Sequence, residues 1–222
     1  MQGWRKRQED AHLAAVSKGE KKDIDVFGVF DGHGGKEISK FVSNHFLDEL
    51  VANKNLPSDM SLALKETFIK MDEIMQTKEG IEEIKKYSRQ SKEEDDRQSK
   101  NEPPNSQMQL LAQLMPPKDP EANDIFMRTG CTACVMGIDE TNKKIYFANA
   151  GDSRVVLCRN GVAEEGSQDH KPEMESEKNR IYKADGWISE GRVKGNLNLT
   201  RGFGDLEYKQ NKNLKPEEQM IT

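Results

Sequence analysis

The chain has 222 residues, of which 34% are hydrophobic and 33% are charged, and its formal net charge is −5. This length predicts one domain, and the mixture of charges excludes the broad basic surface that nucleic acid or an anionic membrane requires. No apolar run approaches the roughly 20 residues of a membrane span, and residues 4–10 are too highly charged for a signal peptide. We therefore expect a soluble protein of the cytoplasm, with the nucleus as an additional compartment.

The first part of the chain predicts one strand, a glycine-rich turn and two helices. Residues 24–30 alternate like a strand and run directly into Asp-Gly-His-Gly-Gly at residues 31–35. Apolar residues then recur at helical spacing, and Ser58 and Asp59 are good N-cap residues for the second helix. The two apolar faces consist of Ile38, Phe41, Val42, Phe46 and Leu50, and of Leu64, Phe68, Met71 and Met75.

The segment from about residue 76 to residue 123 is rich in Lys, Glu, Ser and Gln and contains two Pro-Pro pairs. Such a composition buries little apolar surface, so it predicts an insertion or a long loop. An apolar island at residues 110–115 leaves a short partner-binding helix as an alternative. We favour the simpler interpretation, a segment that packs back on its own domain or stays mobile.

From residue 131 onward the pattern returns to short strands. Asn160-Gly161 lies between two alternating runs and is a strong signal for a hairpin. Runs of strands and runs of helices predict an α+β fold with antiparallel sheets. The predicted strands lie at residues 131–138, 145–150, 155–159, 187–188, 192–193 and 197–200, with a short helix at about 175–184.

Cysteines are few, and their pattern argues against a structural role in cross-linking. Cys131 and Cys134 have the C-x-x-C spacing of zinc and redox pairs, but they lie in a predicted strand. Residues three apart on a strand face opposite sides of the sheet, so they do not easily share a metal ion. We expect core cysteines, and the odd total of three without a secretory signal argues against disulfides.

The glycine-rich turn does not match the nucleotide-binding motifs. Phe30 stands where a Walker motif needs its first glycine, and Glu37 stands where that motif needs Ser or Thr. Glu37 also takes the place of the third glycine of a dinucleotide motif. What remains is a carboxylate, Asp31, at a strand end beside flexible backbone, which suits a hard divalent cation.

Two more carboxylates, Glu9 and Asp10, precede this turn in the sequence. Adjacent carboxylates repel each other unless a cation or a water network separates them, although a solvated surface pair is the simpler interpretation of these two alone. Asp31 and the upstream Arg5 change that balance, because Arg grips a phosphate dianion through two parallel hydrogen bonds. Together these residues favour a site for cations and a phosphate group.

Several different short motifs follow one another along the chain. They are residues 3–5 (Gly-Trp-Arg), 9–12 (Glu-Asp-Ala-His), 29–35 (Val-Phe-Asp-Gly-His-Gly-Gly), 130–133 (Gly-Cys-Thr-Ala), 149–154 (Asn-Ala-Gly-Asp-Ser-Arg), 168–172 (Gln-Asp-His-Lys-Pro) and 199–205 (Leu-Thr-Arg-Gly-Phe-Gly-Asp). In this order and spacing the sequence resembles the metal-dependent protein phosphatases of type 2C. Each motif alone is a weak signal, but the ordered set is specific and covers nearly the whole chain except the insertion.

The resemblance implies an antiparallel β-sandwich flanked by helices, a four-layer α-β-β-α fold. Residues 1–222 would form a partial domain, incomplete at the C-terminal end. The implied activity is the hydrolysis of phosphoserine and phosphothreonine in proteins by a water that two Mg²⁺ or Mn²⁺ ions activate. Phosphorylated proteins would be the partners, the chain would be a monomer, and neither nucleic acid nor membrane would bind.

The resemblance also implies a set of metal ligands. Asp31 would bridge the two ions, Gly32 would lend its carbonyl oxygen, and Glu9 would bind one ion. Asp10 would orient a metal-bound water, and Asp152 matches a residue associated with a weaker third metal site.

Two residues would act on the substrate. By the same resemblance, Arg5 would clamp the phosphate and His33 would be the general acid towards the leaving seryl or threonyl oxygen. Two cations about 3.5–4 Å apart lower the pKa of a bridging water and hold the reacting oxygens in line, so no covalent intermediate is needed. The cysteines lack the Cys-x5-Arg cradle of thiol phosphatases, which argues against a cysteine nucleophile.

The remaining polar residues of the motifs have simpler interpretations. Asp169 and Asp205 are expected to be turn residues whose carboxylates bind backbone donors. His12, His45 and His170 are expected to be hydrogen-bonded or surface residues rather than catalysts.

The sequence departs from the family in one important respect. Family members place two further metal-binding aspartates downstream, in an Asp-Gly-aliphatic-Trp-Asp block and an Asp-Asn block, and neither block occurs here. We therefore expect weak metal binding and little or no turnover from these 222 residues alone. The alternative function is that of a catalytically inactive regulatory domain that binds phosphoproteins through Arg5.

Overall fold

The computed structural model of the chain describes residues 2–5, 7–16, 24–56, 58–99 and 126–222. Its strands are β1 (Ala11–Val16), β2 (Ile24–Phe30), β3 (Gly32–His33), β4 (Gly130–Cys131), β5 (Ala133–Asp139), β6 (Lys144–Ala150), β7 (Val156–Arg159), β8 (Val162–Glu165), β9 (Ile188–Ser189), β10 (Arg192–Val193) and β11 (Phe203–Gly204). Its helices are α1 (Glu37–Ala52), α2 (Met60–Met75), α3 (Lys78–Ser99) and α4 (Glu175–Lys183), with 3-10 turns at Leu206–Tyr208 and Pro216–Glu218. Within the described ranges, no helix combines the length and the apolar composition of a membrane span.

A four-stranded antiparallel sheet, in the order β1-β2-β5-β6, forms the centre of the structure. Side chains alternate between the two faces of a strand, and the face that carries Val26, Phe30 and Val135 is fully buried in a core shared with α1 and α2. The opposite face is more open, since Val29 is 52% exposed and Ile145 is 50% exposed. The sheet is therefore covered by helices on one side.

A second, three-stranded sheet in the order β11-β4-β3 connects distant parts of the chain. Cys131 of β4 pairs with Gly32 on one side and with Phe203 on the other. The residues that follow Asp31 and those that precede Asp205 are therefore held next to each other. Two separate hairpins, β7–β8 and β9–β10, complete the strands, and the first of them turns at Asn160-Gly161 as expected.

The two helices predicted after the first strand are confirmed. The side chain of Asp59 accepts a hydrogen bond from the backbone N–H of Leu62 at 3.0 Å, so Asp59 is the N-cap of α2. The ring of Phe46 lies 6.0 Å from that of Phe30 and 5.5 Å from that of Phe68, which joins α1 to both β2 and α2. All five residues of the predicted apolar face of α1 are at most 2% exposed: Ile38, Phe41, Val42, Phe46 and Leu50.

Helix α3 occupies residues for which the sequence predicted an insertion or a long loop, and here the structure differs from the prediction. The helix buries Ile84 and Tyr87 in the main core. It also makes polar contacts with α1, since Asn44 donates to Tyr87 at 2.8 Å and His45 lies 2.9 Å from Glu83. This apolar face is short and lies in a highly charged sequence, which is why the composition predicted a loop. Residues 100–125, with the apolar island at 110–115, lie outside the described part of the chain.

The predicted fold class, an α+β fold with antiparallel sheets and flanking helices, is confirmed. The strand predicted at residues 197–200 is wrong, because Leu197 forms only an isolated bridge with Val193. The backbone N–H of Thr200 donates to the carbonyl of His170 at 3.2 Å, so this segment bonds to a loop rather than to a sheet.

A buried carboxylate ties α4 to the segment that precedes β11. The side chain of Glu177 is 1% exposed and accepts hydrogen bonds from Arg180 at 2.7 Å, Thr200 at 2.7 Å and Arg201 at 2.5 Å. Burial alone would raise the pKa of Glu177, but the donors on Arg201 and Thr200 and the charge of Arg180 lower the pKa from 4.5 to about 2. The folded chain therefore favours the ionised carboxylate strongly.

We expect Glu177→Gln to destabilise the fold at neutral pH by roughly 3 kcal/mol, because it leaves two guanidinium groups without their anion. A depressed pKa in the folded state contributes stability that is present above the unfolded pKa of about 4.5 and is lost as the pH falls towards about 2. Urea unfolding across this range should show the difference between wild type and variant shrinking with acid. Glu175→Gln, at an exposed residue of the same helix, is the control, and an equal loss in both variants would contradict the assignment.

Candidate active site

The turn that follows β2 is fixed on both sides by backbone hydrogen bonds. The carbonyl of Asp31 accepts a hydrogen bond from the N–H of Thr132 at 2.9 Å. Gly32 and His33 then pair with β4, so the side chains of Asp31 and His33 emerge from a rigid segment. The glycine-rich motif thus acts as a strand-to-strand connection that presents an acid and an imidazole.

Gly32 lies close to the backbone of Glu9. A Cβ atom at this position would clash with the carbonyl oxygen of Glu9, and that same oxygen accepts a hydrogen bond from the hydroxyl of Ser39. Only glycine allows the two backbones to lie this close. The acidic pair Glu9 and Asp10 is therefore held directly against the turn that carries Asp31.

The carboxylates of this region crowd one another. Burial raises the pKa of Asp31, and Asp10 raises it further through its negative charge and through a hydrogen bond between the two carboxyl groups. The charge of Asp152 acts on the pKa of Asp31 in the same direction. The structure thus brings together three acids that are far apart in the sequence.

Glu9 belongs to the same electrostatic neighbourhood. Burial raises its pKa, and the negative charge of Glu37 adds to this increase, whereas the positive charges of Arg7, His33 and Arg5 oppose it. Arg5 itself is exposed at the surface. The predicted phosphate-binding arginine therefore lies close enough to the acidic residues to influence them.

Oxygen ligands and an excess of negative charge are what a hard divalent cation requires, and the chemistry of these residues fits such an ion. The negative charge of Asp10 acts on Asp31, and a nearby cation would relieve this repulsion between the two carboxylates. Among the described residues, no group of three or more His, Cys, Asp or Glu side chains has an arrangement ready to hold a metal ion. Binding of a cation would therefore require these side chains to move.

Asp152, the residue predicted for a third metal site, lies in the loop after β6. Its carboxylate forms an ion pair with the ammonium group of Lys171. The two loops are joined by backbone contacts, since the N–H of His170 donates to the carbonyl of Gly151 at 2.8 Å. In this arrangement the ammonium group of Lys171 lies beside Asp152, where the resemblance implies a metal ion.

His33 has a partner that the sequence analysis missed. Its Nε2 atom lies 2.8 Å and 3.0 Å from the two carboxylate oxygens of Asp205, which is 1% exposed. Asp205 is a turn residue as expected, but its carboxylate binds an imidazole rather than a backbone donor. The two residues are 172 positions apart, and the only sequence signal for their contact is the motif that contains Asp205.

The pKa of His33 reflects this contact. Burial lowers it, but the hydrogen bond and the charge of Asp205, together with the charges of Asp31 and Asp152, outweigh burial and raise the pKa of His33 above 6.5. The imidazole is therefore biased towards its protonated, proton-donating form.

The other residues named from the sequence lie away from these groups or are chemically inert. Trp4 is fully exposed, and His45 pairs with Glu83 of α3. Cys131 is buried, which raises the pKa of its thiol well above 9.0 and disfavours a thiolate.

A cavity of about 460 Å³ lies elsewhere, between α2, β6 and residues 201–222. Its lining includes Phe68, Asp72, Phe203 and Lys209 but none of the predicted catalytic or metal-binding residues. The cavity therefore lies beside residues on either side of Asp205 and does not include the candidate active site.

The family model "Protein phosphatase 2C" matches this chain over residues 1–85 and 75–222. Two proteins of Paramecium tetraurelia, "Probable protein phosphatase 2C 3" and "Protein phosphatase 2C 1", are 44% identical over the whole chain. "Probable protein phosphatase 2C 21" of Arabidopsis thaliana is 40% identical. The chain covers 62% of the length of each of these three relatives.

Two solved structures are similar to the described fold. A C. elegans sex determining protein superimposes with a TM-score of 0.65 at 26% identity, covering 94% of this chain and 43% of that one. A phosphatase from a pathogenic strain of Toxoplasma gondii superimposes with a TM-score of 0.64 at 23% identity, covering 99% of this chain and 66% of that one. The second likeness supports the fold alone.

We expect Asp205→Asn to lower the pKa of His33, because the variant loses the charge that favours the imidazolium. A histidine whose folded pKa is raised stabilises the fold below its unfolded pKa of about 6.5, and this stability is lost as the pH rises through the folded pKa. The variant should therefore be less stable than wild type at acidic pH and similar at alkaline pH. NMR titration of the His33 ring gives the pKa directly, and Asp169→Asn is the control. An unchanged pKa of His33 would rule out the assigned role of Asp205.

Proposed function

Because the chain belongs to the protein phosphatase 2C family, we propose that it carries the phosphate-binding and metal-binding part of a phosphatase that hydrolyses phosphoserine and phosphothreonine in proteins. The observation that supports this proposal most directly is that the carboxylates of Asp10 and Asp31 influence each other beside His33, with the backbone of Glu9 held against Gly32. Phosphate monoesters hydrolyse extremely slowly without a catalyst, so such an enzyme must cancel charge and supply a strong nucleophile. A crowded set of acids beside an arginine is suited to that task.

Glu9, Asp31 and the carbonyl of Gly32 are the proposed ligands of two Mg²⁺ or Mn²⁺ ions, and Asp10 would contact a bound water. When present, the ions would offset the negative charge of the phosphate and lower the pKa of the attacking water. The raised pKa values of Glu9 and Asp31 support this role, because both carboxylates gain stability from any nearby positive charge. Asp152 is proposed to bind a third, weaker ion, which would have to compete with Lys171.

Arg5 and His33 are proposed to act on the substrate. The exposed guanidinium of Arg5 can bind two phosphate oxygens through parallel hydrogen bonds. Since Asp205 engages the Nε2 atom of His33, Nδ1 is the ring nitrogen that remains to give a proton to the leaving oxygen. Asp10 would orient the attacking water on the opposite side of the phosphorus atom.

The alternative of a regulatory domain that binds phosphoproteins without hydrolysis is not favoured, since the curated relatives named above carry phosphatase names. Phosphorylated proteins are accordingly the proposed partners. The monomeric state and the cytoplasmic location stay predictions from the sequence.

The proposal is tested by metal binding and by turnover. We expect the chain to bind Mn²⁺ weakly in calorimetric titration and Asp31→Asn to weaken this binding by about tenfold or more. Hydrolysis of p-nitrophenyl phosphate should be slow, and chelation or Asp31→Asn should abolish it. Asp48→Asn, at an exposed residue of α1, is the matched control and should bind Mn²⁺ like wild type. Mn²⁺ affinity that survives Asp31→Asn, or hydrolysis that survives chelation, would overturn the proposal.

A further inference from the structure

We propose that Asp72 of α2 is a positioning residue for His33, because it holds the turn that presents Asp205 to the imidazole. This inference deepens the proposed function, since it concerns the support of the proposed general acid. It rests on contacts that connect the middle of α2 with the segment from Gly202 to Lys209.

One carboxylate holds both ends of this segment. Oδ1 of Asp72 accepts a hydrogen bond from the backbone N–H of Gly204 at 2.9 Å, across 132 residues of sequence. Oδ2 of Asp72 accepts a second one from the ammonium of Lys209 at 2.5 Å. The same ammonium donates to the carbonyl of Gly202 at 2.6 Å, so Asp72 and Lys209 together close the segment into a loop.

The loop needs such support because its backbone is strained. Gly204 and Asp205 both have left-handed conformations, with φ values of 74° and 50°. A non-glycine residue in this region is disfavoured and persists where surrounding contacts enforce it. Here the N–H of Asp205 donates to the carbonyl of Thr129 at 3.0 Å, and the N–H of the adjacent Gly204 donates to the carboxylate of Asp72.

The contact between Asp205 and His33 is packed tightly against the backbone of Gly130. A Cβ atom built on Gly130 would lie 2.5 Å from Oδ2 of Asp205 and 2.7 Å from Nε2 of His33, so both groups press against the backbone of β4. A carboxylate that shifts out of this narrow space loses the short contacts of 2.8 Å and 3.0 Å with the imidazole. Relaxation of the Gly204–Asp205 backbone would therefore reach His33 directly.

Asp72 does not touch the substrate site, so its effect must travel through the turn. Lys209 is 7% exposed and Asp72 is 21% exposed in their side chains, which makes the pair part of the interior between α2 and the turn. A purely structural pair would join these elements without affecting the imidazole. The two roles differ in what happens to His33 when the fold stays intact.

The test uses the full chain and the ring signals of His33 in ¹H–¹⁵N NMR spectra, which report the tautomer and its hydrogen bond without requiring metal or activity. At alkaline pH, where the imidazole of His33 is neutral, we expect Asp72→Ala to move the His33 signals from a single Nε2-protonated tautomer towards a mixture of tautomers. Asp72→Asn should restore the wild-type pattern in part, because its side-chain oxygen can still accept from Gly204. Glu73→Gln, at the exposed neighbour in α2 that pairs with Lys70, is the control and should leave the signals unchanged.

Should Asp72→Ala unfold the chain, Asp72→Asn and Lys209→Met decide the question, because both retain a bond to Gly204 and weaken only the closure of the loop. A smaller shift of the same His33 signals in both variants is then expected. Unchanged His33 signals in folded variants would show that the pair is merely structural and would overturn the inference.

A kinetic measurement separates this inference from the proposed function. Where the chain turns over p-nitrophenyl phosphate with Mn²⁺, Asp72→Ala should lower kcat about tenfold with little change in KM, because a misplaced general acid loses part of its contribution. A chain whose Mn²⁺ affinity is unaffected by Asp31→Asn would count against the proposed function, while the NMR spectra would still decide the role of Asp72.

Discussion

The contact between the carbonyl of Glu9 and the backbone of Gly32 is the constraint on which the candidate site depends. It continues the antiparallel pairing of β1 with β2, in which Ala11 lies opposite Phe30, so the acidic segment before β1 lies against the turn after β2. The hydroxyl of Ser39 in α1 donates to the same carbonyl oxygen, so α1, the turn after β2 and the segment before β1 all contact this one atom. Any side chain at position 32 would separate them and would leave Asp31 without its acidic neighbours.

Once these backbones are joined, the charges of the site are no longer independent. The negative charge of Asp10 raises the pKa of Asp31, Asp152 forms an ion pair with Lys171, and His33 is paired with Asp205. Asp152 and Asp205 thus each have a partner, an ammonium group and an imidazole. Such pairing keeps the fold from suffering the full repulsion of neighbouring carboxylates, and it also means that a divalent cation must compete with these partners.

Much of the fold could be predicted from the sequence, because its signals are local. The spacing of Ile38, Phe41 and Phe46 defines the buried face of α1, and Asp59 marks the start of α2. The alternation in β2 and the motif that follows it gave the location of Asp31 and His33. The resemblance to the type 2C phosphatases then supplied residue roles that no local pattern contains, and those roles stay proposals.

What could not be predicted depends on contacts between distant or polar residues. Helix α3 buries Ile84 and Tyr87, but this apolar face is short within a highly charged sequence, and polar contacts such as that of His45 with Glu83 complete the docking on α1. The partnership of Asp205 with His33 crosses 172 residues and depends on a left-handed turn that a second carboxylate, Asp72, holds in place. Because polar contacts are directional, they can fix an imidazole far more narrowly than apolar packing can, and they carry no periodicity that a single sequence reveals. The residues that position the chemistry are for that reason the ones that only the three-dimensional structure identifies.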